Sequence, residues 1–369
     1  MEKHLIINDR IFRASIFAAA MIIIIAGVMT AESIITMLLL AFFLSVIGAH
    51  LVAWFDQKKV PHVLSVIIVM VGILSIIIGL SSIIGGSISS FTSHLGKYED
   101  RLTGIIASAN QEFSRLGFSF STQKLTHMFD PVKILDITAT TLGQLGNVMS
   151  NTTLIFFIVL FVLLEMKSIS LKSRIFGASS TGKTMKNISR IEKSVRHYLV
   201  IKTIVSLLTG VLVGIWLSII GVEYAILWAL IAFLLNYIPN IGSVIAAVPT
   251  MLFAWIQLGF IPMIWVMSGY LAVNLFIGYF VEPRVMGRGM GLSTLVVFLS
   301  LIIWGYILGI VGMFLSVPLT MTLKIILEYN ESTKSLAAML GTDEEALKLI
   351  NEKELRRINK EMDDPSGQQ

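Results

Sequence analysis

The sequence predicts an all-α, polytopic integral membrane protein with two interrupted, re-entrant helical hairpins in its C-terminal third. Of the 369 residues, 55% are hydrophobic and 14% are charged, whereas roughly a quarter of the residues in a soluble domain are charged. Apolar runs such as 14–29 and 62–84 reach the roughly 17 to 25 residues that cross a hydrocarbon core. The runs lack the alternation of outer-membrane strands, so helices remain as the structure that satisfies the backbone in lipid.

Five membrane spans are predicted before the C-terminal third. The apolar runs place them at 14–30, 34–54, 62–86, 150–166 and 200–221. Lysine and arginine are frequent before the first span, in the loop 56–61 and between 167 and 202, and cytoplasmic loops carry an excess of these residues. A basic start before an apolar run also occurs in signal peptides, but a second span follows here almost at once. We therefore expect a bacterial inner-membrane protein whose N- and C-termini are cytoplasmic.

Composition divides the chain into five segments. They are N-terminal transmembrane helices at 1–87, an extracytoplasmic helical insert at 88–149, two further transmembrane helices at 150–221, a core of two broken hairpins and an intervening helix at 222–328, and a cytoplasmic tail at 329–369. The third segment includes a basic cytoplasmic loop at 167–199. In the insert, apolar residues from Phe91 to Leu116 repeat every three or four positions, which predicts an apolar helical stripe. The stripe suits either an oligomer contact or substrate vestibule, or a helical hairpin that packs on itself.

The first hairpin is predicted from an interruption in the apolar stretch 224–257. The interruption lies at 236–242, with the sequence NYIPNIG, and leaves two halves that are short for full spans. A single crossing would place the basic loop that holds Arg284 and Arg288 outside the cell. A hairpin that enters and returns keeps this loop in the cytoplasm, as the excess of arginine favours.

The second hairpin is predicted at 292–327. Three glycines interrupt this stretch: Gly305, Gly309 and Gly312. The sequence that leads to Pro249 in the first hairpin resembles the sequence that leads to Pro318 in the second. One span separates the hairpins, so we expect them to enter from opposite faces, an arrangement typical of secondary-transporter sites.

The interruption at 236–242 has a direct chemical use. Pro239 lacks an N–H group, and Gly242 permits unusual backbone paths, so carbonyl and amide groups are freed from helical hydrogen bonds. Lining a wet cavity, these groups together with Asn236, Asn240 and Ser243 can bind a polar solute. The alternative is a structural loop that caps two helix ends.

A second candidate site surrounds Glu282, where the sequence reads VEPRVMGRGMGLS. Glu282 ends a span and Pro283 is expected to stop that helix, while Gly287 and Gly289 complete a hinge. Glu282 can take and release a proton or cation, and Arg284 can hold Glu282 or an anionic substrate; the alternative is an interfacial salt bridge in a basic turn. The full set of expected pathway residues is Asn236, Pro239, Asn240, Gly242, Ser243, Asn274, Glu282, Arg284, Arg288, Gly309 and Gly312.

Several classes of function are disfavoured. The chain has no cysteine, which removes disulfides and thiolate chemistry, and no hydrolase or zinc motif suggests an enzyme, a metal or a cofactor. Residues 177–184, from Gly177 to Thr184, match the P-loop pattern, but that motif works only between a strand and a helix, so nucleotide binding is not expected. The basic residues flank apolar spans, which indicates contact with the lipid bilayer and not with nucleic acid.

Four stretches carry a family resemblance: HYLVIKT at 197–203, NYIPNIGS at 236–243, VEPRVMGRGMGLSTLVVFLSLIIWG at 281–305 and GMFLSVPL at 312–319. Over nearly the whole chain the sequence resembles the autoinducer-2 exporter (AI-2E) family. The resemblance implies a secondary-active permease that exports a small polar signalling molecule, autoinducer-2, with H⁺ or Na⁺ as the coupling ion, and that forms homo-oligomers, pentamers in particular. Two alternatives stay open, a Na⁺/H⁺-type cation antiporter and a non-transporting membrane scaffold.

Overall fold

The structure is a computed structural model of the full chain. It describes residues 2–94, 96–98, 100, 101, 103–105, 107, 115, 152–177, 183–239, 241–286, 291–330, 333–347, 349–351 and 354. These residues form helices and turns, and no strand occurs among them. The prediction of an all-α, polytopic membrane protein is therefore confirmed.

Eleven helices are labelled here in chain order. They are α1 (Glu2–Thr30), α2 (Glu32–Gln57), α3 (His62–Ser93), α4 (Thr152–Gly177), α5 (Lys183–Ile220), α6 (Ala225–Leu235), α7 (Gly242–Leu258), α8 (Phe260–Phe276), α9 (Glu282–Met286), α10 (Thr294–Tyr329) and α11 (Lys334–Leu340). A π-helical turn, Ile277–Val281, joins α8 to α9. Among the described residues, five helical segments are long and apolar enough to cross a membrane: Glu32–Gln57, His62–Phe91, Ser189–Ile220, Phe260–Val285 and Thr294–Tyr329.

The chain divides into two compact units. The first unit comprises Met1–Leu44, Ser173–Val195 and Met290–Gln369, and the second comprises Ser45–Lys172 and Arg196–Gly289. Several predicted spans coincide with described helices, although helices α1 and α3 are longer than expected. The shorter apolar helices Ala18–Thr30 and Thr152–Met166 match the predicted first and fourth spans.

In the second unit, α6 and α7 fold back on each other as a helical hairpin. Gly221 ends α5 with a positive φ of 84°, a conformation that glycine adopts without steric cost. At the open end of the hairpin, the Gln257 side chain accepts a hydrogen bond of 2.8 Å from the Glu223 amide and donates one of 3.2 Å to the Gly221 carbonyl. Near the same end, the Trp228 and Phe253 rings lie 5.6 Å apart. The predicted interruption thus turns the chain back, and entry of this hairpin from one membrane face stays a prediction.

In the first unit, α10 is also bent back on itself. Its backbone leaves helical geometry at Leu308 and at Gly309, which has a φ of 58°. Trp304 Nε1 donates a hydrogen bond of 3.0 Å to Thr320 Oγ1 across this break, a contact that a straight helix excludes because sixteen residues span about 24 Å. Three glycines were expected to interrupt the stretch, but the non-helical residues are Leu308 and Gly309 alone among those described in α10.

Parts of the expected extracytoplasmic insert and of the P-loop-like segment lie outside the described residues. Of the apolar stripe that begins at Phe91, the structure describes Phe91, Tyr98 and Ile105, and the rings of Phe91 and Tyr98 stack at 5.8 Å. Both rings also pack near Phe253 of the first hairpin. Residues 178–182 of the P-loop-like match are not described, and the segment before them, α4, is a helix.

Candidate functional site

One face of α5 in the second unit carries polar side chains. Tyr198, Lys202, Ser206 and Thr209 are spaced by three or four positions, which places them on one side of a helix. All four residues are buried. A neighbouring face of α5 packs through Ile201 and others against the segment around Ile277, so α5 lies against the end of α8 and the π-helical turn. We call Tyr198, Lys202, Ser206 and Thr209 the α5 polar face.

Lys202 and Glu282 form an ion pair at this face. Lys202 Nζ lies 3.0 Å from Glu282 Oε1, and the Lys202 side chain is 5% exposed while that of Glu282 is 30% exposed. Lys202 lies inside the candidate span Ser189–Ile220, and burying an ammonium group there is costly unless it is paired. The carboxylate of Glu282 offsets this cost because it supplies the opposite charge and a hydrogen-bond acceptor.

Glu282 is positioned by the π-helical turn Ile277–Val281. Such a turn accommodates one extra residue in a helix and is frequent at functional sites. Asn274, which is half-buried, lies before the turn. In a regular helix eight positions leave two residues about 80° apart, and one extra residue brings Asn274 and Glu282 close to the same face. This supports the expectation that the two residues share a face.

Proline 283 does not end the helix, so the prediction that it does is wrong. The helical backbone continues past Pro283 to Met286, and the wider π-helical turn lies directly before it, with the Glu282 amide donating to the Ile277 carbonyl. The guanidinium of Arg284 lies 5.9 Å from the centre of the Phe280 ring. The expected hinge residues Gly287 and Gly289, together with Arg288, lie outside the described residues.

The interruption at 236–242 meets the same face of α5. Asn236 Nδ2 donates a hydrogen bond of 3.0 Å to Ser206 Oγ, and the Tyr237 hydroxyl donates one of 2.8 Å to Thr203 Oγ1. The structure therefore brings the break of the first hairpin and Glu282 to one stretch of α5, residues 198–206.

Gly242, Pro239 and Ser243 lie within or beside the turn that this break forms. Gly242 is buried, and a Cβ atom there would overlap the carbonyl oxygen of Leu235, so the tight turn requires glycine. Pro239 and Ser243 are half-buried within or beside the turn, and Asn240 lies outside the described residues.

The expected residues Gly309 and Gly312 belong to the first unit and its hairpin. An ideal Cβ on Gly309 would lie 2.7 Å from Glu32 Oε1 at the start of α2, so a carboxylate approaches the break. Gly312 is buried where the two arms meet, and a Cβ there would overlap the Trp304 carbonyl oxygen. Close approach of the arms therefore depends on glycine at Gly312, while Gly309 supplies the positive φ of the break.

Comparison with known proteins shows the family to which this chain belongs. The model of the AI-2E family of transporters matches residues 18–331. This protein belongs to the AI-2E transporter family. The chain is 40% identical over 326 residues to the AI-2 transport protein TqsA of Escherichia coli (strain K12), covering 88% of this chain and 94% of the relative. It is 38% identical over 323 residues to the putative transport protein YhhT of the same strain, covering 88% and 92%.

A third relative extends this similarity. A putative transport protein of Haemophilus influenzae is 39% identical over 348 residues, covering 92% of this chain and 99% of the relative. This AI-2E family member is thus a multi-pass membrane protein of a transporter family.

Sequence reasoning missed the α5 polar face of this AI-2E transporter. Lys202 is the last charged residue before Glu223 in the chain, and a charge inside an apolar span is a signal for a functional site. That signal was available and would have selected Lys202. Tyr198 and Ser206 carry no comparable signal, because their importance comes from the partners that the fold brings to them.

Proposed function

We propose that this protein is a secondary-active transporter that exports a small polar signalling molecule, autoinducer-2, across the bacterial inner membrane. The name of the Escherichia coli relative TqsA supports the choice of solute. The observation that carries the proposal is the Lys202–Glu282 pair beside the break of the first hairpin. A buried ion pair inside an apolar helical protein is a feature of ion and solute pathways.

Glu282 is the coupling residue in this proposal. Protonation of its carboxylate removes the charge that holds Lys202, and the buried ammonium then lacks a counter-charge. An arrangement of the protein in which water reaches Lys202 then becomes favoured over the arrangement with the ion pair. Because α5 contacts the break through Ser206 and Thr203, a change at Lys202 also affects the break. A proton can therefore shift the population between two arrangements of the break, which is the requirement for coupling.

Transport into inside-out membrane vesicles tests this function. Vesicles that hold the wild-type protein should accumulate radiolabelled autoinducer-2 when energised, and a protonophore should abolish accumulation. Glu282→Gln should lose coupled accumulation, while the matched control Glu223→Gln, a carboxylate in the loop before α6, should retain it. Flux that survives both the protonophore and Glu282→Gln rules out coupling at this residue.

Cation/proton exchange is the second candidate, and Glu32 favours it. Its carboxylate lies at Gly309, where the first arm of the second hairpin ends, and the last carbonyl groups of a helix have no partner within it. A carboxylate at the C-terminal end of a helix attracts a cation. Sodium-dependent proton flux in proteoliposomes without organic solute, lost in Glu32→Gln, would favour this function, and absence of any flux would favour the scaffold alternative.

Membrane orientation and assembly belong to the same proposal. We expect cytoplasmic termini and a homo-oligomer, a pentamer, as the family resemblance implies. Because the chain has no cysteine, single cysteines in the 30–33 turn and in the tail can be labelled with an impermeant maleimide on intact cells. The turn should label and the tail should not.

A further inference from the structure

Tyr198 is a buried tyrosine whose hydroxyl has no hydrogen-bond partner among the described residues. The residue is 3% exposed, and its hydroxyl makes no hydrogen bond within the described part of the chain. A tyrosine hydroxyl can donate one hydrogen bond and accept another. Leaving such a group buried without a hydrogen bond costs free energy, so a buried hydroxyl of this kind indicates that another molecule binds to it.

The surroundings of Tyr198 place it at the site already described. It lies one helical turn before Lys202 on the α5 polar face. Lys202 pairs with Glu282 at 3.0 Å. The Tyr237 hydroxyl donates to Thr203. Tyr198 therefore shares one stretch of α5 with the residues that contact Glu282 and the break of the first hairpin, and its hydroxyl is still able to form hydrogen bonds.

We propose that the Tyr198 hydroxyl contacts the transported solute, together with Lys202 and Glu282. This inference rests on the proposed function and adds the binding group and the chemistry that it selects. Tyr198 and the Lys202 ammonium donate hydrogen bonds, and the Glu282 carboxylate accepts one. The matching solute is a small, uncharged compound in which hydroxyl or carbonyl oxygens lie next to hydroxyl hydrogens.

The same geometry disfavours a bare cation at this position. The Lys202 ammonium lies 3.0 Å from Glu282 Oε1, so it already occupies the place of a counter-ion and repels a second positive charge. Phenol oxygen is also a weak ligand beside the carboxylates and carbonyls that hard cations prefer. A buried water is the other occupant that could satisfy Tyr198, and the experiment below separates water from solute.

Tyr198→Phe removes only the hydroxyl, and Tyr270→Phe is its matched control. Tyr270 is likewise 3% exposed, but its hydroxyl shares a hydrogen bond of 3.1 Å with Thr250 Oγ1. Tyr198→Phe should raise the KM for autoinducer-2 in inside-out vesicles by about five- to tenfold, the loss of one hydrogen bond to a solute, with a near-normal maximal rate. Tyr270→Phe should leave the KM unchanged.

Thermal melting of the purified proteins supplies a second readout that does not need transport. Tyr198→Phe should melt no lower than wild type because it deletes an unpaired group. Tyr270→Phe should melt lower because it removes the hydrogen bond between Tyr270 and Thr250, although Thr250 still donates to the Ala246 carbonyl. Autoinducer-2 should raise the melting temperature of wild type and of Tyr270→Phe but not of Tyr198→Phe, and sodium chloride should give no shift that depends on Tyr198.

The possible results separate the two proposals. Wild-type protein that binds autoinducer-2 through Tyr198 but does not accumulate it would overturn the proposed function and keep the binding site. An unchanged KM and a lowered melting temperature in Tyr198→Phe would show a structural water at the hydroxyl and overturn the binding site. An equal thermal shift in wild type and Tyr198→Phe, or no shift in wild type, would also overturn it.

Discussion

Lys202 Nζ donates a hydrogen bond of 3.0 Å to Glu282 Oε1, although the two residues are 80 positions apart in the chain. The pair joins α5 to the start of α9, directly after the π-helical turn. Apolar contacts between Ile201, Val205 and Ile277 flank it, so the two charges are held by packing and not by the chain alone. This relationship connects the coupling proposal to the stability of the second unit.

Breaking the pair from either side should destabilise the protein. Lys202→Met leaves a carboxylate without its partner, and Glu282→Leu leaves a buried ammonium, so each should cost on the order of 3 kcal/mol. The double variant carries neither charge, so its loss of stability should be smaller than the sum of the losses in the two single variants. Melting temperatures in detergent measure this cycle. Additive losses would show that the two side chains do not interact.

Local sequence rules predicted the breaks well. The proline and the glycine of NYIPNIG both act within a few residues, so their effect on the backbone can be read from the sequence. Gly309 was one of three candidate glycines, and the structure selects it through its positive φ. Gly305 and Gly312 lie inside the arms of the hairpin, where close packing needs glycine but the backbone stays helical. Local rules do not distinguish these two uses of glycine.

Local sequence rules did not predict the contacts between residues that are distant in the chain. Pro283 was expected to end a helix, but the helical backbone continues past it to Met286, directly after a π-helical turn. The carboxylate of Glu345 in the tail accepts a hydrogen bond from Lys324, a contact between distant parts of the chain that no local pattern indicated. The partner of Glu282 was expected nearby in sequence at Arg284. Each of these depends on which distant helix packs alongside.

Gly242→Ala should disrupt the first hairpin. The added methyl group would overlap the Leu235 carbonyl oxygen, so the backbone at the break must move, at a cost of about 3 kcal/mol. Gly72→Ala is the matched control, since a Cβ there meets nothing within 4 Å, and alanine is the better helix former. Melting temperatures should fall for the first variant and hold or rise for the second. Equal changes in melting temperature for the two variants would contradict the tight turn at Gly242.

The pKa of Glu223 should make stability depend on pH. A hydrogen bond from Tyr98, and then the nearby Lys97 ammonium, lowers the pKa of this carboxyl below its ordinary value of 4.5. Because the folded-state pKa lies below the unfolded one, the pair stabilises the fold above about pH 4.5 and loses this effect as pH falls through the folded value. Tyr98 is fully buried, so the hydrogen bond is fixed by packing.

Tyr98→Phe tests this contribution. The variant should melt lower than wild type at about pH 7, and the gap should narrow as pH falls through the lowered folded-state pKa of Glu223. Tyr306→Phe serves as the control because Tyr306 is 75% exposed. A gap that stays constant with pH would mean that the Tyr98 hydroxyl acts without the Glu223 charge.

Lys324 should hold the tail against the second hairpin. Its ammonium donates to the Gly291 carbonyl and to Glu345 Oε2, and it lies 3.7 Å from Glu328 Oε1. Glu328 in turn accepts a hydrogen bond of 2.6 Å from Arg190. The Leu340 carbonyl also accepts a hydrogen bond of 3.1 Å from the Ser293 amide. One buried ammonium thus joins the start of the hairpin, its second arm and the tail.

Lys324→Met should release the tail while leaving the hairpin folded. Without the ammonium, Glu345 loses its partner and α11 keeps fewer bonds to the hairpin, so hydrogen exchange at 334–340 should accelerate by about tenfold, which corresponds to roughly 1.4 kcal/mol. Glu345→Gln should give a smaller change in the same direction, because an amide still accepts a hydrogen bond. Lys193→Met, at an exposed position of the first unit, should have no effect. Unchanged exchange in Lys324→Met would mean that apolar packing of α11, with Ala337 fully buried, holds the tail without the ion pairs.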